Sequence, residues 1–258
     1  MNIRLSNLSD DETAKIIPQE TILLGYVGSI AHGTYIPSTN PNSIDDKDIM
    51  GICVAARNVY LGLGKFEQLT IKYKEWDSVV YEIRKFFNLL LKQNPNVLSL
   101  LWLDRQNYIH ISEAGQRILD NRELFVSKFA YHSFSGYAHA QLHKMTRGKF
   151  EGYMGAKRKE LVEEFGFDCK NAAHLIRLLR MGIEYLSDGY LRIHREDAPE
   201  LKLIKTGQWP LSKVLDEADR LFALAGEAFV RSPLPNKPKY HAAENLLMDI
   251  LESYLLNQ

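Results

Sequence analysis

The sequence predicts an α+β protein: a small mixed β-sheet with flanking helices over residues 1–110, followed by a helical half over residues 111–258. A change of texture along the chain carries that expectation. From Thr21 to about Trp76, short apolar runs are broken by Gly, Pro, Asn and Asp, the pattern of strands joined by turns. From Ser112 onward, apolar residues recur at helical spacing in long segments.

Each element has a local reason. Thr21–Val27 reads as a buried strand, short and apolar and ended by Gly28. Ile49–Ala55 reads as a second strand and Leu69–Tyr73 as a weaker third, while Tyr35–Asp45, rich in Pro, Ser, Thr and Asn, reads as a loop. Asp77–Val80 is expected to be a fourth strand leading into a helix over Tyr81–Lys92. That helix sets Ile83, Phe86, Phe87, Leu90 and Leu91 on one face, and Glu82 is expected to face solvent. Pro95 disfavours the helical region for Asn94 and stops the helix, and a short apolar segment, Val97–Leu103, follows. The helical half is expected to contain Ser112–Asn121, Ser127–Arg147, Lys157–Glu164, Asp168–Ser187, Leu211–Arg231 and Tyr240–Leu256. Pro233, Pro235 and Pro238 stiffen the connector before the last helix. There is no internal repeat.

Composition narrows the class. The 258 residues are 45% hydrophobic and 25% charged, values of an ordinary soluble globular chain long enough for a real core. Formal net charge is zero, so no global field draws the chain to nucleic acid or lipid, although a local basic stripe can still serve. Cys53 and Cys169 sit in apolar-patterned segments and read as buried free thiols of a reducing compartment. The first residues are polar and acidic, unlike a signal peptide, and no run approaches the ~18 apolar residues of a membrane span. A cytoplasmic protein with no membrane partner is expected.

Chemistry is concentrated in Gly28–Ile52. Gly28 and Ser29 follow a strand and open a short helix expected over Ser29–Gly33, whose free N–H groups and dipole favour a phosphate. Glycine lets the backbone approach closely, the Ser29 hydroxyl adds a donor, and Gly33 and Thr34 close the turn. Asp46 and Asp48 are two residues apart at the start of a strand, so their carboxylates leave one face. Carboxylates held that close repel unless a cation intervenes, and Mg²⁺ takes such hard oxygen ligands together with substrate phosphates. A two-metal arrangement needs a third acid. Asp77, at the head of the next short strand, is chosen as ligand and general base, with Glu75 as its substitute.

In that order, Gly28-Ser29-x-Ala31-x-Gly33-Thr34 and then Asp46-Lys47-Asp48-Ile49-x-Gly51 resemble the polymerase-β-type nucleotidyltransferase superfamily. Within it, Asp77–Trp102 and Lys170–Leu179 are most similar to the branch of nucleotidyltransferases that includes the RNA-ligase-associated proteins, so the resemblance spans Gly25 to Gly189. It implies a small mixed sheet with a helical C-terminal extension, and a metal-dependent transfer with Mg²⁺ as cofactor and Mn²⁺ as its substitute. The loop between Ser29 and Asp46 is longer than in the compact transferases, which bears on nucleotide selectivity.

Secondary candidates each have a plainer reading. Lys170, His174 and Arg177 share one helix face and would grip a triphosphate or an acceptor's phosphate, or else are a solvated basic side. His32 contacts a phosphate or a base, or fills the turn. Lys144, Arg147, Lys149, Lys157, Arg158 and Lys159, with Tyr137, Phe150 and Tyr153 among them, suit a single-stranded nucleic acid or a solvated loop. His139 and His143 are four apart but have no third metal ligand and read as core or surface residues. Trp76, Trp102 and Trp209 read as packing residues.

The expected enzyme moves a nucleoside monophosphate from a nucleoside triphosphate, ATP among them, to an acceptor hydroxyl, an RNA end being one candidate, and releases pyrophosphate. Its rivals are nucleotidylation of a protein or small molecule, such as AMP transfer, and a non-catalytic nucleotide- or RNA-binding module. The base transferred, the acceptor, the oligomeric state and any need for a partner such as an RNA ligase are not legible.

Overall fold

The computed structural model describes residue 5 and residues 8–18, 20–37, 44–146 and 156–256. Along the chain run α1 (Asp10–Ile16), β1 (Thr21–Tyr26), α2 (Gly28–Ala31), β2 (Lys47–Cys53), α3 (Arg57–Leu61), β3 (Gln68–Tyr73), β4 (Trp76–Glu82), α4 (Ile83–Leu91), α5 (Pro95–Leu100), β5 (Tyr108–Ile111) and α6 (Glu113–Asp120). Then follow α7 (Ala130–Thr146), α8 (Ala156–Phe165), α9 (Cys169–Asp188), α10 (Ala198–Lys205), α11 (Leu211–Arg231) and α12 (Tyr240–Leu256). The α+β class is as the sequence predicts. The chain forms two compact units, one of residues 1–31, 46–126 and 237–258, the other of residues 32–45 and 127–236.

The first unit holds a mixed sheet in the order β3-β4-β2-β1-β5, with β2 and β4 parallel and every other pair antiparallel. β4 alternates, with Trp76, Ser78, Val80 and Glu82 buried and the residues between them half-buried. Trp76 and Val80 join Leu5, Ile16, Ile17, Leu24, Ile49 and Cys53 in a core on one face of the sheet. Here α1 closes the core, begun by a capping box in which Ser9 and Glu12 satisfy each other's backbone N–H groups. α4 buries Ile83, Phe86, Phe87 and Leu90 at helical spacing, and α12 returns to pack against it.

Four local expectations need correction. Glu82 does not face solvent: it ends β4, is 2% exposed, accepts from the Lys85 N–H as cap of α4, and receives the Tyr60 hydroxyl. The parallel ladder with β2 runs through Tyr81 and Glu82, so tertiary pairing extends the strand at the helix's expense. Pro95 does more than stop a helix: it starts α5, because Asn94 caps it and proline at the first turn costs no hydrogen bond. The helix after β1 begins at Gly28 and ends at Ala31.

In the second unit α9 is central and packs against α7, α10 and α11. Asp168 caps it, and Gly189, at φ 73°, ends it in the left-handed conformation. Arg180 joins α9 to its neighbours through Asp197, Glu200 and Glu217. Residues 32–45 contribute a buried anchor, in which Lys205 donates to Asp45 and to the Thr34 carbonyl while Asp45 also accepts from the Ile36 N–H. The Asp45 and Lys205 side chains are 1% and 5% exposed, so deleting one partner strands a buried charge. Lys205→Met is expected to cost about 3 kcal/mol, read from urea unfolding followed by circular dichroism. An unchanged midpoint would show that the pair carries no such burden.

Candidate active site

The first unit brings the sequence-selected acids to one end of one sheet face. In the parallel ladder between β2 and β4, Asp48 is the register partner of Asp77, and in the antiparallel ladder between β3 and β4, Asp77 is the partner of Lys72. Register partners on neighbouring strands project to the same side, so Asp48, Asp77 and Lys72 form a row. It lies opposite the Trp76 core, since side chains alternate along β4. Asp46 precedes β2 and accepts from Lys72 Nζ at 2.8 Å, which draws it to the same side. Lys47, between the two acids, is turned away: its ammonium pairs with Glu75 at 2.8 Å and lies 5.1 Å from the centre of the Trp76 ring. Glu75, the alternative third acid, is therefore engaged by Lys47. Among the described residues no three His, Cys, Asp or Glu side chains converge closely enough to hold a metal ion.

Gly28 is fitted against these acids. The Val27 N–H donates to the Asp48 carbonyl at 3.0 Å, which ties the end of β1 to β2. Gly28 then turns with φ 59°, and a Cβ there would stand 2.2 Å from Asp48 Oδ2. Both the dihedral and the space require glycine. Ser29 follows in the first turn of α2. The backbone after β1 thus passes within touching distance of the Asp48 carboxylate.

The second unit carries the remaining candidates. His32 is buried, and both its ring nitrogens are engaged: Nδ1 lies 2.9 Å from the Ile193 carbonyl, and Nε2 meets Arg177 Nη1. The carbonyl can only accept, so Nδ1 bears the proton and Nε2 accepts from the guanidinium. Gly33 (φ 71°) passes His194, whose Cε1 would be 2.9 Å from an added Cβ, and the buried Thr34 offers its carbonyl to Lys205. Lys170 donates to the Ile44 carbonyl at 3.0 Å and lies 3.8 Å from Asp45. His174, between them on α9, has Nε2 buried with no hydrogen-bond partner among the described residues. On this helix face Lys170 is thus engaged by Ile44 and Asp45, and Arg177 by His32, all within the second unit.

Sequence reasoning missed Lys72, Asp45 and Lys205. Alternation along β3 would have put Lys72 on the polar side of the sheet, but Asp45 and Lys205 are 160 residues apart and no local pattern joins them. Of the basic cluster, Arg147, Lys149, Phe150 and Tyr153 lie outside the described residues, as does residue 147 at the end of the helix expected over Ser127–Arg147. Arg158 is committed to Asp168, at 2.7 and 3.2 Å, and to Asn171. His139 is exposed and stacks on Phe222 with ring centres 4.2 Å apart. Cys53 and Cys169 are free and buried, and burial pushes both thiols up to about 12. The three tryptophans are buried.

Two predictions follow from this packing. Gly28→Ala is expected to cost about 1–2 kcal/mol from its left-handed backbone alone and to rotate Asp48 away, seen in a crystal structure of the variant. An unmoved Asp48 would refute the close approach. Burial, reinforced by the charge of Arg177, holds both the His32 and the His174 imidazoles well below the ordinary 6.5. Below 6.5 the unfolded chain then binds more protons than the folded one, so their contribution to stability is full above that pH and is lost as the pH falls. Melting temperatures from pH 8 to pH 5 should fall on the acid side, and less steeply in His174→Asn. Equal slopes would clear His174 of the effect.

No curated protein matches the chain. Among solved structures, a nucleotidyltransferase-like protein from Exiguobacterium sibiricum is 12% identical, with 93% of this chain and 72% of that chain covered and a TM-score of 0.31. The family model described as the RNA repair pathway DNA polymerase beta family matches residues 2–192. With Asp48 and Asp77 paired in the sheet and Gly28 packed against Asp48 inside that span, the chain belongs to this polymerase-β-type nucleotidyltransferase family.

Proposed function

We propose that the protein transfers a nucleoside monophosphate from a nucleoside triphosphate to an acceptor hydroxyl and releases pyrophosphate. The observation that carries this reading is the register of Asp48 against Asp77, with Gly28 packed on the Asp48 carboxylate. A binding module gains nothing from lining up repelling acids, whereas a phosphoryl-transfer site requires them.

The register pair Asp48 and Asp77, with Asp46 on the same sheet face, would offer hard oxygen ligands to a divalent cation, Mg²⁺ or Mn²⁺, that also binds the triphosphate, and the three carboxylates would have to draw together around it. When bound, the cation supplies charge neutralisation for the triphosphate and the departing pyrophosphate. The chain's own groups do the rest. Backbone N–H groups of the Gly28-Ser29 turn orient the phosphates. An Asp77 oxygen takes the proton of the acceptor hydroxyl as its oxygen bonds to the α-phosphorus and the bond from that phosphorus to the β-phosphate oxygen breaks. Positioning and electrostatics provide the acceleration. The family's description names an RNA repair pathway, which favours an RNA end as the acceptor.

Incubation with labelled nucleoside triphosphates, Mg²⁺ and RNA, peptide or sugar acceptors tests the proposal. Labelled RNA with pyrophosphate release is the expected result. Label on protein would move the acceptor, and tight nucleotide binding without turnover would sink the proposal. Asp46→Asn and Asp48→Asn are each expected to lower turnover by about a hundredfold or more, with melting temperatures changed little, since the ion pair that Asp46 loses is exposed. Full activity in either variant would remove that acid from the site.

A further inference from the structure

An ammonium belongs to the acid row. Lys72 lies on the edge strand β3, where residues 68, 70 and 72 are exposed, yet its Nζ is drawn onto Asp46 at 2.8 Å. Its backbone partner is Asp77, whose partner in turn is Asp48, so one cation sits among three carboxylates at one end of one sheet face. Neighbouring strands are about 4.8 Å apart, so these charges act on each other within a screening length. Lys47, the other ammonium in this stretch, is kept on the opposite face by Glu75 and Trp76 and cannot share the task.

We propose that Lys72 is a built-in counter-ion of the acid cluster. Its ammonium neutralises Asp46 in the cation-free protein, and Asp46 exchanges it for the divalent cation on binding. Lys72 is thereby a positioning residue that sets how tightly the cation is held. The proposal rests on the divalent-ion reading above. It accounts for acids that share a face without converging, since Asp46 is held toward β3 by the ammonium. The Lys72 and Asp46 side chains are 51% and 41% exposed, and an ion pair so wet is weak enough to be exchanged.

Electron paramagnetic resonance of free Mn²⁺, titrated with the nucleotide-free protein, reads the affinity directly. The wild type is expected to bind Mn²⁺ and Asp48→Asn to lose that binding. Lys72→Ala and Lys72→Gln are expected to bind about thirtyfold tighter, the effect of removing one unit charge ~4 Å from a doubly charged ion in water. Lys72→Arg should behave as wild type, and Lys72→Ala should change nothing in an Asp46→Asn background. Binding by Lys72→Ala no tighter than wild type, with the Asp48→Asn loss intact, overturns the counter-ion and leaves the metal reading standing. Binding that is absent from the wild type, or indifferent to Asp48→Asn, overturns both.

Discussion

The parallel pairing of β2 with β4 is the constraint on which the acid cluster depends. It runs in register from Lys47 against Trp76 to Cys53 against Glu82, and so sets Asp48 against Asp77 at its open end. A slip of one residue would turn every side chain of one strand to the other face and bring Ser78 or Trp76 opposite Asp48. What prevents the slip is the core beneath: Ile49, Cys53, Trp76 and Val80 are buried together on the opposite face. The apolar pattern that fixes the register thus also fixes the acids. Two repelling carboxylates side by side are held in place by hydrophobic burial on the other face of the sheet.

The second unit manages charge differently. Its buried ionic groups have specific partners: Asp45 with Lys205, Arg195 with Glu184 and Asp197, and Arg180 with three acids. Arg177 instead donates to a neutral imidazole, that of His32, and to the Met181 sulfur. Burial and the charge of Arg195 accordingly press the Arg177 guanidinium below its usual range. Such contacts fix His32, Thr34 and Ile44 against Ile193, Lys205 and Lys170 of the same unit.

Much of this was legible locally. The longer strands and helices follow from periodicity and from Ser112 and Asp168, whose roles at helix starts are set by the backbone groups within a few residues. The two-residue spacing of Asp46 and Asp48 carried the shared face, because alternation in a strand is a local rule. What escaped depends on long-range contacts. Glu82 was misread because its burial comes from Tyr60 and the ladder with β2. The pairing of Asp45 with Lys205 and of His32 with Arg177 joins residues far apart in sequence, as does the return of α12 to α4. The order of strands, and hence the choice of Asp77 as the neighbour of Asp48, was an expectation that only the register could turn into geometry.

The central claim is that Asp48 and Asp77 are adjacent because they hold one cation against a triphosphate. Crystals grown with Mn²⁺ and a non-hydrolysable nucleoside triphosphate, measured at the manganese absorption edge, test it by anomalous scattering. The account predicts a peak bonded to oxygens of both carboxylates, with the triphosphate running along the Gly28-Ser29 turn. A nucleotide bound elsewhere, or a manganese peak that touches neither acid, would contradict it.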